Sequence, residues 1–225
     1  MHTLTLNSDW TQRCVVDSTQ LPWQPSPSAQ VHRKLLERNG GEVARATSIV
    51  RYEPGATFKA HQHELGEEIL VLEGIFSDDT GHYGPGTYIK NPPGSSHSPF
   101  SELGCTLFVK LRYMDPLDLE PVRVDNRQAT WFPGMVNGLS VLPLSAFETQ
   151  HTAMVRWAPG TFFNPHRHHG GEEIFVVEGV FSDEHGSYPK GSWLRSPHLS
   201  QHQPFSREGC LILVKTGHLA SPANP

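Results

Sequence analysis

A chain of 225 residues with 36% hydrophobic and 18% charged side chains can bury a core, as one large domain or two of about 110 residues. Its net charge of −5 and its lack of a basic run or an aromatic–basic RNA-binding pattern exclude nucleic acid as a partner, and its longest apolar runs, such as "ILVL" and "CLILV", are too short to cross a bilayer. The start "MHTLTLNSDW" has no basic-then-apolar signal, and three sparse cysteines (Cys14, Cys105, Cys210) make no disulfide framework, so a reducing cytoplasm is expected.

With 20 glycines and 19 prolines, the expected elements are short strands separated by turns. The first 20 residues align with nothing else in the chain. "WQPS" at Trp23 is followed by "VHRKLLER", read as a strand because its later counterpart "LSVLPLSA" contains a proline. "TSIVRYEPG" alternates and stops at a Pro-Gly turn. "HQHELGEEILVLEG" from His61 gives a short strand, a tight turn and a strand ended by glycine. "GTYIKNPPGSSH" and "GCTLFVKLRY" complete the set, and turn signals at this spacing indicate an all-β sandwich or barrel.

After "MDPLDLEP" the text repeats. From Val50 to Lys110, adding 105 lands on a counterpart without a gap, and 30 of 61 positions are identical. Further upstream "WFPG" at Trp131 echoes Trp23 with an offset of 108. This is a tandem duplication. The domains are read as 1–116, with an N-terminal strand extension, and 117–225.

The histidines carry the chemistry. Side chains at i and i+2 of a strand share a face, so His61 projects with His63 and His166 with His168. Glu67 shares the face of Ile69 and Val71, where a lone buried carboxylate is costly unless something positive meets it. His97, after the turn "PPGSS", is placed to return to the same cavity. Three imidazoles and one carboxylate suit Zn, Fe, Ni, Mn or Co, with no thiolate to favour one.

The first copy reads Gly55-x5-His61-x-His63-x3-Glu67-x6-Gly74 and then Gly86-x5-Pro92-x-Gly94-x2-His97. This resembles both motifs of the cupin superfamily, spacing included, and the second copy matches from Gly160 to Gly179 and from Gly191 through Pro197 to His202. The resemblance implies two tandem cupin barrels of the RmlC-like jelly-roll type, a bicupin, with one divalent metal per domain. The ligands it implies are His61, His63, Glu67 and His97 in the first copy and His166, His168, Glu172 and His202 in the second. Two departures stand out: Ser101 and Ser206 occupy the position of the motif's closing Asn, and His198-Leu199 replace Pro93-Gly94. Leu resists a positive φ, so the second turn is expected to differ and His202 to sit less well.

Within the superfamily, "HxHxxGEExxVLEGxFSDD", "GxY..GxY" and "GCxxxVK" look like the cupin domain of ChrR-type anti-sigma factors, which bind zinc. Their sigma-gripping domain with its His-x3-Cys-x2-Cys motif has no match here, so sigma-factor binding is not supported. The expected function is a metal-binding sensor or small-ligand-binding protein with zinc, or else Fe, Ni or Mn, and with homodimerisation common in such proteins. The alternative, from resemblance to small diketone and hydroxyacetophenone dioxygenases, is a non-haem iron dioxygenase on a diketone-like or hydroxyketone substrate. A third possibility keeps one working site and makes the other copy scaffold.

Other residues carry weaker expectations. Glu68 and Glu173, of opposite parity to the ligands, are read as either surface groups or hydrogen-bond partners of the ligand histidines. Cys105 and Cys210 are read as core, and His82, His151, His169 and His185 as loop or surface. Phe58, Phe76 and Phe100 and their copies are read as core, some lining a pocket.

Overall fold

The computed structural model describes residues 4–219. Among them there is no α-helix, only strands and one 3-10 turn at Ser18–Gln20, and no helix long and apolar enough to cross a membrane. The expectation of an all-β chain holds, and "VHRKLLER" lies within strand Val31–Gly40.

The chain forms two compact units. Among the described residues the first comprises 4–8 and 21–129, the second 9–20 and 130–219. In the first, the large antiparallel sheet runs Leu4–Leu6, Val31–Gly40, Ala44–Tyr52, Cys105–Leu111, Glu67–Gly74, Thr87–Asn91, Val122–Asp125. Four shorter strands (Gly81–Tyr83, Phe76–Asp78, Phe100–Ser101, Ala56–Thr57) make a second sheet, and His61–Gln62 pairs with Ser96–His97. In the second unit the order is Phe132–Pro133, Leu139–Phe147, Gln150–Trp157, Cys210–Thr216, Glu172–Asp183, Ser192–Ser196, Cys14–Asp17.

The last strand of each sheet has an origin that the repeat does not suggest. Contrary to the expectation that the first 20 residues have no counterpart, Cys14–Asp17 corresponds to Val122–Asp125 at the offset of 108, each leading into its own copy. Yet Val122–Asp125 pairs with Thr87–Asn91 in the first unit, and Cys14–Asp17 with Ser192–Ser196 in the second. Each leading strand thus completes the sheet of the other copy.

Alternation along Glu67–Gly74 sorts the side chains as expected. Ile69 and Val71 join the core of the first unit with Phe76, Ile89, Leu107 and Val109. Burying such a side chain contributes roughly 1.5–3 kcal/mol. Ile174, Val176, Phe181, Leu194 and Ile212 do the same in the second unit. Each of these strands bends at its motif glycine. Gly74 and Gly179 hold φ of +72° and +70°, and a Cβ there would collide with the carbonyl of Gly104 or Gly209. That positive φ, together with the close approach of the neighbouring strand, requires glycine.

The other face of the same strand is buried too. Glu68 is 5% exposed, accepts a hydrogen bond from Tyr88 Oη at 2.6 Å, and sits between Lys90 and Lys110 in the cross-strand register. Glu173 is 3% exposed and lies 3.3 Å from His218 Nε2. These glutamates therefore belong neither to the solvent surface nor to the histidine cluster. Period-2 parity placed them on the outer face correctly, and that face carries its own buried polar network.

Candidate metal centres

In the first unit His61, His63, Glu67 and His97 converge, and in the second His166, His168, Glu172 and His202; within each set the potential ligand atoms all lie within 4.8 Å of one another. The register explains the convergence. His61 pairs directly with His97, and His166 with His202, across the two-stranded ribbons. The turn after His63 closes through Gly66 N–H to His63 O and delivers Glu67 to the adjoining strand.

The cluster fits a cation. Glu67 Oε2 stands 3.5 Å from both His63 Nε2 and His97 Nε2, and Glu172 Oε2 stands 3.6 Å from His168 Nε2 and His202 Nε2. Four ligands each about 2.1 Å from a shared tetrahedral centre would be about 3.4 Å apart. The buried Nε2 atoms of His63, His97, His168 and His202, and Oε2 of Glu172, have no hydrogen-bond partner. So many unpaired buried polar atoms facing one point are costly unless a positive centre joins them.

The imidazoles are aimed by their other nitrogens. Nδ1 of His61 lies 2.9 Å from Lys59 O, and Nδ1 of His166 lies 3.0 Å from Asn164 O. Nδ1 of His97 and His202 faces Asp78 at 3.2 Å and Asp183 at 3.4 Å. A proton on Nδ1 leaves the Nε2 lone pair for the centre. Asp78 and Asp183 were not singled out from the sequence; the signal was present in "FSD", identical in both copies. Burial opposes ionisation of Asp183, but hydrogen bonds from His202 and Tyr188 hold its carboxyl down to about 2, and His97 and Thr80 likewise lower Asp78. Burial pushes His168 down to about 3, with His202 and His166 adding to the effect, and burial lowers His63 and His166 as well. Neutral imidazoles are the form that binds a metal.

The exchanged strands reach both centres. Arg123 Nη2 donates to Asn91 Oδ1 at 2.6 Å, and Asn91 Nδ2 donates to Glu67 Oε2 at 2.9 Å. In the second unit Arg13, beside the other exchanged strand, donates to Tyr188 Oη at 2.6 Å and to Asp183 Oδ2 at 3.3 Å. Ser196 stands where Asn91 does, so Glu172 has no equivalent donor. Burial raises its pKa to about 7.

Leu199 departs from expectation. It takes φ of +62° where Gly94 has +83°, and its N–H bonds His168 O at 2.9 Å as Gly94 N–H bonds His63 O at 2.7 Å. The turn is preserved and His202 reaches the cluster; the exposed Leu199 side chain avoids a clash, and the carbonyl of His168 holds the backbone. Cys105 and Cys210 are buried, with burial raising both thiols to about 11, as core residues would be. His82, His151, His169 and His185 are exposed. Phe76 is core, and Phe58 and Phe76 line a cavity of about 420 Å³ that reaches His61, His63, Glu67 and His97.

Two duplicated jelly-roll barrels, each with a three-histidine, one-carboxylate cluster, define a bicupin. Residues 11–115 and 119–220 each match the ChrR Cupin-like domain, and the chain belongs to that family. No curated protein matches the chain. Among solved structures it is similar to a candidate dioxygenase from Nostoc punctiforme (TM-score 0.78, 15% identity, covering 95% of this chain and 86% of that one). It is also similar to Ylba from Escherichia coli (0.72, 14%, 98% and 96%) and to the oxalate decarboxylase of Lactobacillus farciminis (0.62, 14%, 92% and 87%). At these identities the likeness is one of fold.

Proposed function

We propose that the chain is a metal-binding bicupin that binds or senses a small ligand, with one divalent metal per unit. The observation that carries this reading is the convergence, twice in register, of buried Nε2 atoms without partners on one carboxylate. His61, His63, Glu67 and His97 would hold one ion and His166, His168, Glu172 and His202 the other. Three nitrogens and one oxygen suit zinc, with iron, nickel or manganese as alternatives. A metal bound here supplies a Lewis-acid centre for oxygen donors of a ligand. The protein's own part is to keep His63, His166 and His168 neutral by burial, orient His97 and His202 through Asp78 and Asp183, and wall the first cavity with apolar side chains. Elemental analysis of protein purified from its native host is expected to give two metals per chain, falling to one in His61→Ala or Glu67→Ala. Two metals per chain in those variants would refute the ligand assignment.

A second reading, a non-haem iron dioxygenase acting on a diketone-like or hydroxyketone substrate, is favoured by the cavity that reaches the first cluster. Oxygen uptake by the iron-loaded protein on a diketone panel tests it. Zinc at full occupancy in the native protein, with no uptake after iron loading, would sink it.

A further inference from the structure

The cavity of the first unit has a second pole. Arg33 and Arg38 line it together with Glu42. Both Nη atoms of Arg33 donate to the Glu42 carboxylate at 2.9 Å. Arg38, whose side chain is 5% exposed, lies 3.6 Å from that same carboxylate and donates otherwise to the carbonyls of Gly41 and Glu42. Two guanidiniums thus share one carboxylate, and that carboxylate is itself 60% exposed. One buried positive charge is left without a full counter-ion, which is costly unless an anion joins it.

The second unit shows that the fold does not need this pair. Arg33 pairs with Val50 and Arg38 with Ala46; in the second copy the corresponding pairs are Val141 with Val155 and Ala146 with His151. The same strand pair forms there with no arginine at either of these two positions. The cations are specific to the first unit, as is Tyr52 on the cavity wall, where the second copy has Trp157.

The two poles lie at one level of the sheet. Glu67 pairs with Leu111, Leu111 with Ala46 and Ala46 with Arg38, three strand spacings or roughly 14 Å along the sheet. Leu111 lies between them, and Val109, Leu107 and Val50 extend the apolar wall along the strands toward the level of Arg33. We propose that the first unit binds a small organic monoacid, its carboxylate on Arg38 beside Arg33, its apolar body along this wall, and an oxygen-donor group at its far end facing the histidine cluster. A single uncompensated charge suits a carboxylate better than a doubly charged phosphate. The far-end contact rests on the metal reading above; the anion seat does not.

Calorimetric titration separates the two. Octanoate against methyl octanoate, on chelator-treated protein, reads the seat alone. The acid is expected to bind about tenfold or more tighter than the ester. Arg38→Gln should abolish that preference, and Glu42→Gln, which removes the competing carboxylate without touching the buried arginine, should widen it. Equal binding of acid and ester by the wild-type chain, or no widening in Glu42→Gln, overturns the seat. Suberic acid monohydroxamate, whose hydroxamate chelates divalent metals, then reads the far pole. It is expected to gain over octanoate only in zinc-loaded protein. Octanoate selectivity with no such gain would keep the seat and reject the metal-facing end of the ligand.

Discussion

Single residues set how well each centre is held. Asp78 and Asp183 fix the Nδ1 side of His97 and His202. Asp183→Asn is expected to weaken metal binding at the second centre by about 10- to 100-fold, read by chelator competition, because the ring loses its charged anchor. An unchanged affinity would mean that the ribbon backbone alone orients His202. Leu199 holds a left-handed conformation that costs an L-residue roughly 1–2 kcal/mol, so Leu199→Gly should stabilise the chain by up to about 1 kcal/mol, allowing for the added freedom of the unfolded glycine. Denaturant midpoints check this; a destabilised variant would show that the turn is not strained. The eight cluster residues were legible because strand parity and a 105-residue repeat are local facts of the text. The refusal of a positive φ by Leu199 was a propensity argument, and tertiary hydrogen bonds overrode it.

At the level of elements, what the sequence hid was partner choice. The strands themselves, their turns and the inward face of Glu67–Gly74 followed from alternation and glycine punctuation. That Cys14–Asp17 would lie beside Ser192–Ser196 did not, because four residues with weak patterning carry no mark of a partner about 180 positions away. Arg13 and Arg123 were missed for the same reason, since their contacts to the centres depend on this pairing. Removing residues 1–17 is expected to bare the edge at Ser192–Ser196, take away the Arg13 contacts to Tyr188 and Asp183, and, with the loss of Leu4–Leu6, bare residues 38–40 of the first unit as well. Amide hydrogen exchange should then accelerate at 192–196 and leave 87–91 unchanged. Acceleration at 87–91 as well would mean that the loss spreads beyond the edges directly bared, and acceleration at neither segment that the Cys14–Asp17 strand is dispensable.

For the whole molecule, the two centres couple stability to metal and pH. Glu172 is buried and holds its proton up to about pH 7 in the metal-free fold, against an ordinary value of 4.5. A raised carboxyl pKa means that the folded state binds more protons than the unfolded one between those values. Stability of the chelated protein should therefore be highest below about pH 4.5, as far as this group is concerned, and fall through pH 7 by on the order of 3 kcal/mol. A metal ion replaces the proton as the carboxylate's partner, so zinc should flatten this slope and raise the melting temperature at neutral pH. At one hundred times its dissociation constant, each site would add about 2.7 kcal/mol. The lowered His63, His166 and His168 give the opposite slope below about pH 6.5, so thermal melts from pH 5 to 8, with and without chelator, are compared for the wild type and Glu172→Gln; identical slopes of the two chelated proteins would remove Glu172 from the account.

The crossed outer strands also determine what a cut chain would be. Severed between residues 116 and 117, the N-terminal fragment keeps Cys14–Asp17, which belongs to the second unit, and lacks Val122–Asp125. The C-terminal fragment has the converse surplus and deficit. Each piece lacks one edge strand and carries the missing edge of the other, so the halves are expected to complement each other, and their reassembly would report directly on the pairing of two four-residue strands.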